Sequence, residues 1–272
     1  MVDFDGRVAV VTGASRGVGR AISEALVDQG VTVAGISRSS EKLEILRQTL
    51  QGRPGGFYPY ALDVSSVTQV QQVAGEIQGA LDPVTVLVNA AGTFGPIQWI
   101  SDSDPDAWIN TIMVDAVSSY LTTREFLPGM LSAGWGRIIN VSSAATLHPP
   151  GPLNSAYGTA KVALNQFTRH LAAEVEGTGV TANVIHPGDL KTEMWSDIRD
   201  QAGRLGSAAA AYSQWAEWVD ETGGDSIEKS VDLVMELLNE QPPRNGEFCW
   251  IRDPLQTPIK SWGSPGQAQP WL

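Results

Sequence analysis

Residues Thr12-Gly13-Ala14-Ser15-Arg16-Gly17-Val18-Gly19 lie between an apolar run and a segment of helical periodicity. No other feature of the chain narrows the possible folds as much. Val8 to Val11 is continuous and mostly β-branched, the pattern of a strand buried on both faces. Arg20 to Gln29 carries Ala21, Ile22, Ala25 and Leu26 on one helical face, and Gly30 stops it. Val31 to Ile36 reads as the next strand. Strand, glycine turn, helix and strand within about 30 residues make a βαβ unit. Such a unit needs a parallel sheet around it and helices over it.

The alternation continues. Phe57 to Leu62, Val84 to Val88, Gly136 to Val141, Val180 to Ile185 and Glu247 to Ile251 read as further strands. Helices are expected at Ser40 to Leu50, Val67 to Ile77, Ser155 to Glu176 and Ile227 to Leu238. Asp104 to Met130 reads as a short helix running into a long one. The expected class is α/β: a doubly wound parallel sheet of about seven strands, a Rossmann fold, with helices on both faces. No Pro/Gly/Ser linker divides the chain, so residues 1–272 are read as one domain. Asp189 to Gly224 interrupts the alternation with Trp195, Tyr212, Trp215, Trp218 and an alanine run, and reads as a helical insertion. The tail from Pro254 to Leu272 has no period and reads as a surface segment or a partner contact.

Composition excludes several functions. A net charge of −12 argues against a nucleic-acid partner, which requires a basic face. Histidines 148, 170 and 186 have no metal-ligand spacing, so no metal site is expected. The single cysteine, Cys249, allows no internal disulfide and reads as a buried structural thiol. Two acids precede the first apolar run, unlike a signal peptide. No stretch approaches the ~20 apolar residues of a membrane span, so a cytoplasmic location is expected.

Two segments carry chemistry. Side chains at Gly13, Gly17 and Gly19 would block a turn that brings backbone against phosphate. The helix that follows points free N–H groups and the positive end of its dipole at an anion. Tyr157 and Lys161 lie four residues apart, on one face of a helix. A free phenol has a pKa near 10, and an adjacent ammonium favours phenolate. The pair is therefore expected to lower the Tyr157 pKa and make it a general acid or base. Read alone, it is a surface pair four residues apart on a helix.

The order Thr-Gly-x-x-x-Gly-x-Gly resembles the short-chain dehydrogenase/reductase family. The resemblance runs through Asp63-Val64, Asn89-Ala90-Ala91-Gly92, Ser143, Tyr157 to Lys161, and Pro187-Gly188 with Leu190 and Thr192. It implies that Gly13, Ser15, Arg16, Gly17, Val18 and Gly19 cradle a dinucleotide. By the same resemblance Asp63 and Val64 contact its adenine side, and Asn89 to Gly92 line its path. It further implies that Lys161 binds the nicotinamide ribose, that the Pro187 to Thr192 loop holds the carboxamide, and that Ser143 contacts the substrate oxygen. Ser143 is preferred to Ser142, although this places one extra residue between Ala144 and Ser155. The second strand ends without the acid that would bind a free ribose and repel a 2′-phosphate. Arg16 and Arg38 offer guanidinium groups there, with Ser37, Ser39 and Ser40 beside them. NADP is expected over NAD; Arg38 could otherwise be a solvated helix-start residue.

One position departs from the family. Its usual asparagine in the long helix is Asp115 here, in Val114-Asp115-Ala116. Asp115 keeps the size and adds a charge able to pair with Lys161. The expected function is hydride transfer between NADP and a ketone or secondary alcohol, with Tyr157 as general acid/base. The alternative is an NADP-binding regulator or scaffold whose catalysis Asp115 weakens. A sugar-nucleotide epimerase on a related fold would need a longer C-terminal region. Trp195, Trp215, Trp218 and Tyr212 could line an apolar pocket, pack on the core or meet another subunit. Phe94, Trp99 and His148 are further candidates to reach the substrate. The resemblance implies a homodimer or homotetramer through residues 104–131 and 155–176.

Overall fold

The computed structural model describes Phe4 and residues 6–147, 150–251 and 259–260. The strands are β1 (Val8–Thr12), β2 (Thr32–Ser37), β3 (Phe57–Ala61), β4 (Val84–Asn89), β5 (Gly136–Val141), β6 (Val180–His186), β7 (Glu247–Trp250) and β8 (Ile259–Lys260). They form one sheet in the order β3-β2-β1-β4-β5-β6-β7-β8. The first seven pair in parallel, and β8 adds antiparallel to β7. The eighth strand was not expected, because two residues are too few to carry a period of two. It lies within the tail, whose other residues fall outside those described, as does His148.

The helices are α1 (Gly17–Asp28), α2 (Ser40–Thr49), α3 (Val67–Ala80), α4 (Pro105–Ile112), α5 (Ser118–Ala133), α6 (Ser155–Glu174), α7 (Glu193–Leu205), α8 (Ala210–Thr222) and α9 (Ile227–Asn239). Strand alternation divides the core into two layers. Ala9 and Val11 face Ile22 and Leu26 of α1, Leu43 and Leu46 of α2, and Val234 and Leu237 of α9. Val8 and Val10 face Val70 and Ile77 of α3, Phe126 and Met130 of α5, and Leu171 of α6. This is why the strands read as unbroken apolar runs.

Local chemistry sets the element ends. Ser39 and Ser66 accept from the backbone N–H groups of Lys42 (3.2 Å) and Gln69 (3.4 Å), capping α2 and α3. Asp104 caps α4 ahead of Pro105. α1 starts at Gly17, three residues before the expected Arg20, because the glycine turn itself supplies the first helical turn. The expected pair of helices within 104–130 is joined by a single π-helical stretch, Met113–Val117.

Chain order reverses between β1 and β4, so connections leave the strand ends there in opposite directions. That crevice is where open α/β sheets bind ligands. Leu87, fully buried in β4, packs just below it. Leu87→Ala is expected to cost about 2–5 kcal/mol in urea-induced unfolding, through lost contacts and a cavity.

Candidate active site

The glycine turn rests directly on the end of β4. A Cβ on Gly13 would lie 2.7 Å from the Ala90 carbonyl oxygen, and φ there is +69°. A Cβ on Gly19 would lie 2.5 Å from the Gly13 oxygen. The Thr12 hydroxyl accepts from the N–H groups of Ala90 and Ala91, both at 3.1 Å. Ala14 N–H donates to Ile36 at 3.1 Å, fastening the turn to β2 as well. Arg16 at the α1 N-cap makes no side-chain capping bond, and no acid occupies the first turn. A backbone cradle facing an uncapped helix start fits a pyrophosphate.

The surrounding residues divide between cradle and core. Ser15 and Gly17 are half-buried in the turn. Val18 and Val64 pack into the two opposite core layers. Asn89 is buried, donating its side-chain N–H to the Asn140 amide oxygen (2.8 Å) and accepting from the Thr122 hydroxyl (2.7 Å). Asn140 continues to Thr168 at 2.8 Å. Asp63 accepts from the Ser65 N–H (2.9 Å) and hydroxyl (2.6 Å), and these hold its carboxyl below the usual range. Arg38 is exposed beyond it, close enough to act on that charge. Ser39 spends its hydroxyl on the α2 cap.

The second half of the site is built by α6 and the π-helical stretch. Lys161 donates to the Val141 carbonyl at 3.0 Å and pairs with Asp115 at 3.3 Å. Both side chains are almost wholly buried. The other Asp115 oxygen accepts from Thr93 N–H at 2.8 Å. Gly92 passes over this pair; a Cβ there would lie 3.6 Å from both charged atoms. Burial opposes the Lys161 ammonium, but Asp115 and Tyr157 outweigh it and raise its pKa. Burial also raises the Asp115 carboxyl against the pull of Lys161 and Thr93.

Tyr157 departs from expectation. Its phenol lies above the ordinary value, because burial raises it and Asp115 adds to that, while Lys161 and a hydrogen bond with Ser143 pull the other way. The ammonium acts in the direction expected and is outweighed. The two serines are engaged differently: Ser142 gives its hydroxyl to Asn165 at 2.6 Å, whereas the Ser143 hydroxyl accepts from the Ala145 N–H at 3.1 Å and acts on the Tyr157 phenol.

The loop after β6 closes the site. Gly188 has φ +98°, and Asp189 N–H donates to Asp225 at 2.9 Å. Leu190 bridges to Gly224, so the ends of the insertion meet. Thr192 lies against the glycine turn, 3.7 Å from where a Gly17 Cβ would be. Within the insertion, Trp195 is buried and donates to Ala216 at 3.0 Å, holding α7 to α8. Trp215 donates to Asp189 at 3.0 Å, and Trp218 and Trp99 are exposed. Phe94 lies over Tyr157 with ring centroids 4.7 Å apart, and Tyr212 meets Phe94 edge-on at 6.1 Å. Gln201 accepts from Ile97 N–H (3.1 Å) and donates to Gly95 (3.2 Å), tying the insertion to the loop after β4. Sequence reasoning missed Gln201, Lys42 and Glu193, which belong to no motif and act across more than a hundred residues.

Among the described residues, no acid and histidine cluster suits a metal, and no helix is long and apolar enough to cross a membrane. The sequence pattern of the short chain dehydrogenase family matches residues 7–203. A short chain dehydrogenase of Pseudocercospora fijiensis is 35% identical over 193 residues, 70% of this chain and 62% of that protein. The chain thus spans less than two thirds of that relative's length. The 3-oxoacyl-(acyl-carrier-protein) reductase FabG of Vibrio harveyi is 34% identical over 216 residues, covering 75% of this chain and 86% of that one. The crystal structure of a metagenomic short-chain oxidoreductase in complex with NADP aligns with a TM-score of 0.65 at 34% identity, covering 69% of this chain and 84% of that one.

Thr12→Val removes the side-chain acceptor that holds the Ala90 and Ala91 N–H groups. It is expected to cost about 1–3 kcal/mol in chemical denaturation and to weaken nucleotide binding, measured by calorimetry.

Proposed function

The chain belongs to the short-chain dehydrogenase family, and from that premise we propose that it is an NADP-dependent oxidoreductase acting on a ketone or secondary alcohol. The observation that carries this reading is the place of Lys161, beside the Tyr157 ring, against Val141 at the end of β5 and under Gly92, which follows the β4 end that the glycine turn touches. Bound there, the nicotinamide supplies or receives the hydride. In reduction Tyr157 gives its phenolic proton to the substrate oxygen, and Ser143 hydrogen-bonds the same oxygen. Lys161 stabilises the resulting phenolate and would hold the nicotinamide ribose. Pro187, Gly188, Leu190 and Thr192 would hold the carboxamide. The backbone from Asn89 to Gly92 borders the cofactor path.

The absence of an acid at the end of β2, with Arg16, Arg38 and Lys42 at that corner, supports NADP over NAD. The metagenomic relative was solved with NADP, which supports the same choice. The Vibrio harveyi relative is by name a reductase of 3-oxoacyl groups, which supports a ketone. Phe94, Leu153 and Tyr212 offer an apolar wall beside Tyr157, suited to a carbonyl carried on an apolar frame. Exposed Ile109, Tyr120 and Val162 on α4, α5 and α6 support self-association through those helices.

A second reading is favoured by one observation, the buried Asp115–Lys161 pair. An ammonium already matched by a carboxylate stabilises phenolate less, and the protein would then bind NADP with weak turnover as a regulator or scaffold. The two readings separate in one assay, following NADPH and NADH consumption against a broad panel of ketones and aldehydes. The enzyme reading expects NADPH turnover that Tyr157→Phe abolishes while NADPH still binds. Binding with no turnover in the wild type, and turnover gained in Asp115→Asn, would favour the second.

The pH dependence follows from the raised phenol. Tyr157 stays protonated through the neutral range, so the reduction rate is expected to be flat there with respect to this group. Oxidation needs the phenolate and is expected to climb with pH into the alkaline range. Asp115→Asn removes one of the groups that raise Tyr157. Its rising limb for oxidation is expected at lower pH than in the wild type, and an unchanged limb would remove Asp115 from the mechanism.

A further inference from the structure

The cations at the adenosine corner meet a carboxylate that comes from far along the chain. Glu193 is the first residue of α7, at the root of the insertion. One of its oxygens accepts from Arg16 of the glycine turn, and the other from Lys42 of α2 at 2.8 Å. The three residues come from three separate elements, 177 and 151 positions apart. Among the described residues neither cation pairs with any other carboxylate. All three side chains are between 44% and 50% exposed, so an ion from solvent can reach the bridge. Hydrogen bonds from Lys42 and Arg16 hold the Glu193 carboxyl below its usual range, so it carries its charge at neutral pH.

We infer that Glu193 is a specificity-determining residue that competes with the 2′-phosphate of the cofactor for Arg16 and Lys42. The inference rests on the reading of this corner as the 2′-phosphate site. A planar guanidinium and an ammonium suit a phosphate oxyanion as well as they suit a carboxylate. A phosphate placed between them must displace Glu193 or sit beside its negative charge. Either course lowers affinity for NADP while leaving NAD, whose ribose carries no such charge, largely unaffected. Glu193 therefore holds down the native preference between the two cofactors. Since Thr192 abuts the glycine turn, the same contact fastens the first turn of the insertion when no 2′-phosphate is present.

The test uses nucleotides without nicotinamide, so it is independent of turnover. Binding of 2′,5′-ADP and 5′-AMP to the full chain is measured by titration calorimetry at low ionic strength, for wild type and Glu193→Gln. The Kd ratio of 5′-AMP to 2′,5′-ADP is expected to rise about five-fold in the variant, the scale of an exposed charge interaction. The rise is expected to shrink in 0.5 M salt through screening, and in a Lys42→Gln background because one of the contested cations is gone. A wild-type preference for 2′,5′-ADP that Glu193→Gln leaves within two-fold would overturn the inference and leave the NADP reading standing. A preference that emerges only in the variant would support the inference and correct the reading of the native cofactor. No preference in either protein would overturn both.

Discussion

Close contact between the ends of β1 and β4 is the constraint on which the site depends. Gly13 lies so near Ala90 that no side chain fits, and the Thr12 hydroxyl holds both N–H groups that follow β4. This contact sits where the sheet changes direction, so the crevice for a dinucleotide is formed by the same atoms that join the two halves of the sheet. Every other functional group is positioned relative to it. Gly92 leads from β4 over Asp115 and Lys161, and Phe94 continues to the ring of Tyr157.

Below the crevice the core holds two chains of hydrogen-bonded polar side chains. Asn89, Asn140, Thr122 and Thr168 form one chain of hydrogen bonds, and Ser142, Asn165 and Thr146 form another. Fully paired buried networks rigidify their surroundings, and this one fixes the strand ends from which Ser143 and the β4 loop project. The Asp115–Lys161 pair follows the same logic with charges. A buried ion pair is costly to desolvate and contributes little net stability. Its presence here is explained by position: it holds the ammonium beside Tyr157 and sets the electrostatic surroundings of the phenol.

Several contacts anchor the insertion. Its ends meet at Leu190 and Gly224, Gln201 holds the loop after β4, and Glu193 reaches the glycine turn. Its aromatic residues have different roles. Trp195 holds α7 to α8, whereas Tyr212 reaches toward Phe94 and the site. Composition alone left these roles open, since an apolar face on a helix looks the same whether it meets a neighbouring helix or a ligand.

The sequence by itself determined the parallel sheet, the glycine cradle and the shared helical face of Tyr157 and Lys161. Each of these depends on neighbours close in the chain: apolar runs, a turn that tolerates only glycine, and a spacing of one helical turn. It also made the missing acid after β2 and the aspartate at position 115 visible, because a motif marks where to look. Tertiary structure alone decided that the phenol is raised rather than lowered, since burial and Asp115 come from elements that the Tyr157 to Lys161 spacing does not contain. It alone paired Ser142 with Asn165 on another element. It alone brought Glu193 to Arg16 and Lys42. Spacing along a chain reports contacts within a turn or a βαβ unit, whereas charge pairing and desolvation depend on distances that only the closed fold sets.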